Sequence, residues 1–111
     1  MFSKLGRKTV HDLPPEEVAK GLTEGRVLLI DVREPVEIER ERFPEAFHLP
    51  MSRFDPAAIP DPQGRRVVFA CQVGARSVTA SLAAQAAGLA YDSHLAGGLK
   101  AWKAAGLPTE R

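Results

Sequence analysis

Apolar and polar positions alternate in blocks along this chain, and the blocks read in turn as strands and helices. Val27-Leu28-Leu29-Ile30 and Val67-Val68-Phe69-Ala70 are unbroken apolar runs. Their length and β-branched content suit strands buried on both faces of a sheet. Lys8-Thr9-Val10 reads as a short first strand, Phe47-His48-Leu49-Pro50 as a strand closed by proline, and 90–95 as the last strand. Asp12-Leu13-Pro14-Pro15-Glu16-Glu17 opens a helix with an acidic cap region, first-turn prolines and glutamates near the positive end of the dipole. That helix continues through Val18, Ala19 and Leu22 and stops near Gly25. Pro35 opens a charged helix to about Arg42, broken by Pro44. A small helix fits 53–58, and Pro60-Asp61-Pro62-Gln63-Gly64 is a loop. The Ala-rich stretch from Val78 to about Ala87 is a strong helix former stopped by Gly88. Gly97-Gly98 turns into a closing helix over 99–105, ended by Gly106 and Pro108. Strands alternating with helices predict an α/β fold on a largely parallel sheet.

Composition narrows the function classes more than the fold. The 111 residues suffice for one domain with its own core, 1–111 as a unit with its body over about 9–108. Fifteen basic against fourteen acidic residues leave a net charge of +1. The charges are interspersed rather than gathered in a stripe, so nothing supports nucleic-acid binding. No apolar run approaches the length of a membrane span. Met1-Phe2-Ser3-Lys4-Leu5-Gly6-Arg7-Lys8 carries basic residues with no apolar core after them, unlike a secretory signal. A cytoplasmic location is therefore expected, with no membrane partner. No exposed apolar stripe stands out, which makes a monomer the default. One cysteine and three scattered histidines offer no intrachain disulfide and no metal-ligand cluster. Neither a metal nor a cofactor is expected.

The chemistry concentrates at Cys71-Gln72-Val73-Gly74-Ala75-Arg76-Ser77, which holds the lone cysteine between a predicted strand and a predicted helix. Free cysteine commonly behaves as a small buried hydrophobe. Four features favour a reactive thiol instead. Gly74 permits a tight, positive-φ turn. Arg76 brings a permanent charge and a planar fork of donors. Ser77 is placed to cap the helix. The turn itself lies at the carboxyl end of a strand, where ligands collect in α/β sheets. Inward-pointing N–H groups and the helix dipole favour an anion there, the condition for a nucleophilic thiolate.

Three segments carry a resemblance across the chain. Leu28-Leu29-Ile30-Asp31-Val32-Arg33-Glu34, Cys71-Gln72-Val73-Gly74-Ala75-Arg76-Ser77 and Leu95-Ala96-Gly97-Gly98-Leu99-Lys100-Ala101-Trp102 resemble the signatures of the rhodanese family, in order, and Ala105-Gly106-Leu107-Pro108 fits as well. The match runs from about Val10 to Pro108 and implies a stand-alone domain with the rhodanese-like three-layer fold, helices on both faces of the sheet. One segment departs. Where the family often has Gly-His-hydrophobic-Pro-Gly-Ala, this chain has Glu41-Arg42-Phe43-Pro44-Glu45-Ala46. Pro44 and Ala46 are kept, whereas both glycines and the histidine are replaced, which bears on loop geometry more than on chemistry.

The resemblance implies a sulfurtransferase. Cys71 would attack the outer sulfur of a small anionic donor such as thiosulfate, release sulfite and carry a persulfide. Cyanide or a thiol, a small one or one borne by a protein, would then take that sulfur in ping-pong order. Gln72, Val73, Gly74, Ala75, Arg76 and Ser77 would line the donor site, with N–H groups around the charges. Arg76 would meet the donor's oxyanion face, the alternative being a surface or loop-bracing arginine. Asp31 and Arg33 would support the loop by hydrogen bonds and an ion pair. Related phosphatases and arsenate reductases carry five residues between cysteine and arginine. Here there are four, a tighter cradle suited to sulfur rather than to phosphate. The other class of function is a sulfur-relay or protein-binding module with little small-donor turnover. His48 and His94 are expected to be ordinary partly buried histidines, Trp102 a core residue, and Lys100 and Lys103 a solvated face.

Overall fold

The structure is a computed structural model that describes residues 9–111. Five strands form one parallel sheet: β1 (His11–Leu13), β2 (Val27–Asp31), β3 (Phe47–His48), β4 (Arg66–Ala70) and β5 (Ser93–Leu95), in the order β1-β5-β4-β2-β3. The helices are α1 (Pro15–Thr23), α2 (Pro35–Arg40), α3 (Ala75–Ala86) and α4 (Gly98–Ala104).

The apolar runs become the two central strands for the reason their pattern suggests. Alternate residues of β2 and β4 feed opposite faces of the sheet. Val27, Leu29, Val68 and Ala70 pack with Val18 of α1 and Leu99 and Trp102 of α4. Leu28, Ile30, Val67 and Phe69 pack with Ala80 and Ala84 of α3 on the other face. Three layers result. Each fully buried aliphatic here contributes about 1.5–3 kcal/mol of transfer free energy.

The edges differ from expectation. The first strand lies at His11–Leu13, not at 8–10, because Leu13 is the buried residue that pairs with Leu95. Lys8 and the rest of 1–8 lie outside the described residues. Asp12 is accordingly a strand residue rather than part of a helix cap, and Pro14 sits at the N-cap of α1 without any side-chain cap. The small helix over 53–58 is instead two 3₁₀ turns, Met51–Arg53 and Pro56–Ala58, and the second is capped by the Asp55 carboxylate on the Ala57 N–H. The last strand is Ser93–Leu95 only, half the length predicted. Helix α2 stops at Arg40, short of Arg42.

The departing segment 41–46 has a structural role of its own. Glu41 takes extended backbone (φ −166°), which needs no glycine. Its carboxylate accepts Lys103 Nζ at 2.7 Å and the Thr109 hydroxyl at 2.5 Å. Arg42 bridges Glu110 through both backbone bonds, 2.9 Å each. These residues tie the C-terminal segment down. Glu45, by contrast, holds a left-handed backbone (φ +56°) at a position where the family often has glycine.

Candidate functional site

Parallel strands bring their carboxyl ends to one edge, and β4 ends there beside β2 and β5. Cys71 follows β4 directly and is fully buried. Its Sγ receives the backbone N–H of Gly74 at 3.1 Å and of Ser77 at 3.3 Å, and lies 3.4 Å from the Ser77 hydroxyl. A cysteine serving only as a small hydrophobe would have no use for two N–H groups aimed at its sulfur. Both donors stabilise negative charge on it, as does the positive end of the twelve-residue α3.

Gly74 makes this turn possible. It is the N-cap of α3 at φ +100°, and a Cβ there would meet the Gly97 nitrogen at 3.2 Å. Ser77 therefore does not cap the helix as the sequence suggested. It lies inside the first turn, where its N–H and hydroxyl both face the sulfur. The far wall of the loop is the start of α4. Leu99 N–H donates to the Cys71 carbonyl at 2.9 Å and Lys100 N–H to the Gln72 carbonyl at 3.1 Å. A Cβ on Gly98 would lie 2.5 Å from the Gln72 carbonyl carbon, so only glycine fits.

Asp31 and Arg33 form a buried ion pair with Nη2 to Oδ2 at 2.8 Å. The Asp31 carboxylate also accepts the Arg33 backbone N–H at 2.9 Å and Nε at 3.1 Å. Arg33 then donates to the Glu41 carbonyl at 3.0 Å, reaches Gln72 Oε1 at 3.5 Å and stacks over the Phe43 ring. Phe43 meets Trp102 edge to face, with centroids 5.4 Å apart. Trp102 is core, and its indole N–H donates to the Pro108 carbonyl.

Arg76 points elsewhere. Its guanidinium grips Glu37 with two bonds, 2.7 and 2.9 Å. The Arg76 hydrogen bonds, against a partial cost of burial, hold the Glu37 carboxyl at about 2. Arg76 is in turn pushed up, first by Glu37 and less by the charge of the Cys71 sulfur. Glu37 also accepts the Glu34 N–H at 3.0 Å, and Glu34 accepts Ser52 N–H and Oγ. Val73 is 59% exposed at the loop tip and Ala75 is exposed beside it. Gln72 lines a cavity of about 310 Å³ together with Arg33, Glu37, Arg40, Glu41 and Leu99.

The histidines part company. His48 is exposed on β3, not partly buried. His94 on β5 is buried, with Nδ1 2.8 Å from the Ser77 hydroxyl and Nε2 2.6 Å from the Asp12 carboxylate. Lys103 is exposed, as the sequence suggested, and bonds Glu41 there. Glu37, His94 and Asp12 were not singled out from sequence as site residues. Glu37 carried one local signal, a glutamate three residues after Glu34 at a proline-started helix.

A model of the rhodanese-like domain family matches residues 14–105. The chain belongs to that family. Among curated relatives, a protein of Allochromatium vinosum named a sulfurtransferase is 35% identical over 100 residues, 89% of this chain and 94% of that protein. An uncharacterized protein of Synechocystis sp. is 40% identical over 97 residues, 87% of this chain. The match spans only 54%, about half, of that longer relative. Solved structures agree on the fold. A Rhodopseudomonas palustris protein of unknown function, described as a possible tyrosine phosphatase, superposes with a TM-score of 0.77 at 31% identity, covering 91% of this chain and 85% of its own. A rhodanese-related protein of Thermoplasma volcanium gives 0.75 at 20% identity, covering 94% and 98%. The rhodanese-like three-layer α/β fold and the family follow from these matches. No helix of the described residues is long and apolar enough to cross a membrane.

Proposed function

We propose that this rhodanese-like domain is a sulfurtransferase that carries sulfane sulfur as a persulfide on Cys71. The observation that carries the reading is the pair of backbone donors on the buried sulfur, Gly74 N–H and Ser77 N–H, with the Ser77 hydroxyl beside them. A thiolate and a persulfide are both anions, and in a buried site each needs fixed donors around it. The thiolate attacks the outer sulfur of thiosulfate, whose S–S bond breaks with its electron pair leaving on sulfite. Cyanide or a thiolate then takes the outer sulfur and returns Cys71 as thiolate. Gln72, Val73, Gly74, Ala75, Arg76 and Ser77 surround the donor, and Asp31 and Arg33 hold the loop from behind. Arg76 meets the donor's oxyanion face by exchanging Glu37 for the incoming anion. Four residues rather than five between Cys71 and Arg76 favour sulfur over phosphate chemistry.

The full burial of Cys71 at rest favours one second reading, a relay that opens only to a protein donor. The test is the intact mass of reduced protein after thiosulfate, beside a Cys71→Ser control. A gain of one sulfur on the wild type alone, discharged by cyanide as thiocyanate, is the expected result. No gain on a thiol that still alkylates overturns thiosulfate as donor in favour of the relay. Cys71-dependent hydrolysis of p-nitrophenyl phosphate overturns the sulfurtransferase reading altogether.

A further inference from the structure

Cys71 is fully buried, so its proton has to leave along hydrogen bonds. Of the groups on its sulfur, two are backbone N–H donors that take no proton. Among the described residues only the Ser77 hydroxyl can accept one. That hydroxyl lies 2.8 Å from His94 Nδ1, and the other ring nitrogen lies 2.6 Å from Asp12 Oδ1. The Asp12 side chain is 74% exposed. A single file of four groups thus runs to solvent from the thiol just past the end of β4, through Ser77 of α3, to His94 of β5 and Asp12 of the adjacent β1. Every hydrogen bond in it has one consistent direction for a neutral imidazole. S–H donates to Ser77 Oγ, the Ser77 O–H to Nδ1, and Nε2–H to the carboxylate.

We infer that His94 takes up the Cys71 proton through Ser77, with Asp12 as the carboxylate that holds the resulting imidazolium. The inference rests on the reading of Cys71 as the nucleophile. In the step, the S–H bond breaks toward Ser77 Oγ as the Ser77 O–H bond breaks toward His94 Nδ1. A thiolate and an imidazolium result, with no net change of charge and no oxidant. Ser77 ends as it began, its hydroxyl now donating to the thiolate. The proton returns by the same path when Cys71 is released at the end of turnover. His94 and Asp12 are positioning residues, since both act through Ser77. The titratable groups bonded along this path are Asp12 from β1 and, through Ser77, Cys71. The cross-strand neighbour on β4 is Phe69, and His11 turns its ring to Asp92.

The experiment is the pH–rate profile of Cys71 alkylation by iodoacetamide, which needs no sulfur donor and so separates this inference from the choice of thiosulfate. If the proton moves as inferred, the wild-type profile has two bends. In His94→Gln and Ser77→Ala the lower bend is lost, and the rate at neutral pH falls by about tenfold. Asp12→Asn, at the exposed end, keeps the two bends and lowers the neutral rate by about threefold. A folded His94→Gln protein with the wild-type profile overturns the inference. Should His94→Gln not fold, Ser77→Ala and Asp12→Asn decide it alone: profiles matching the wild type in both refute it. A purely structural role would lower stability in these variants and leave the profile shape unchanged.

Discussion

Two guanidinium–carboxylate pairs flank the cysteine loop. Arg33 and Asp31 are 1% and 0% exposed, and every arm of Arg33 is occupied by Asp31, Glu41 or Gln72. Arg76 and Glu37 are 37% and 27% exposed and, among the described side chains, bind only each other. Burial makes the first pair irreplaceable, because either charge alone in that interior lacks solvation. Exposure makes the second exchangeable, because water competes for the same guanidinium. The loop therefore has a fixed wall and a movable one.

The comparison breaks hardest at the fixed wall. Asp31→Asn leaves Arg33 buried without its counter-charge and is expected to cost about 3–5 kcal/mol, read by urea unfolding. A loss as small as that of Glu37→Gln would erase the distinction between the pairs. Gly98→Ala drives a methyl group into the Cys71 and Gln72 carbonyls and is expected to cost about 1–3 kcal/mol. It should slow alkylation of Cys71 as well, since the donors on the sulfur shift with the loop.

Glu37→Gln tests the movable wall. Stability should fall by less than about 1 kcal/mol for so exposed a pair, while freed Arg76 lowers the KM for thiosulfate by about twofold. An unchanged KM would leave Arg76 as a loop brace. Acid sharpens the same point. The folded Glu37 carboxyl titrates at about 2 against an ordinary 4.5, so its stabilisation is complete above about 4.5 and disappears as pH falls toward 2. Wild-type stability should decline more steeply than that of Glu37→Gln across that window in acid denaturation. The smallest effect lies away from both pairs. Glu45→Gly relieves a left-handed non-glycine backbone and should stabilise the fold by about 0.5–1 kcal/mol, read as a raised Tm.

The legible parts of the sequence were those written locally. The runs 27–30 and 67–70 announce buried strands because both faces are covered, and the Cys71–Gly74 turn announces itself by residue type. The edge strand β1 is invisible in His11-Asp12-Leu13, two polar residues and one leucine, since only pairing with β5 makes it a strand. Ser77 misled for a related reason: a serine near a helix start is a cap by default, and only the left-handed Gly74 moves the cap upstream. The ligands of the loop were hidden by distance along the chain. Glu37 reaches Arg76 across 39 residues, and His94 reaches Asp12 across 82. No local pattern encodes such meetings.

The backbone bonds from Leu99 and Lys100 to the Cys71 and Gln72 carbonyls set an order of assembly during biosynthesis. The chain leaves the ribosome N-terminus first. The thiol is therefore synthesised well before the segment that walls it in, and β1 must likewise wait for β5. Until residues near 100 emerge, a nascent chain carries a cysteine without a cradle, open to oxidants in a way the finished domain is not.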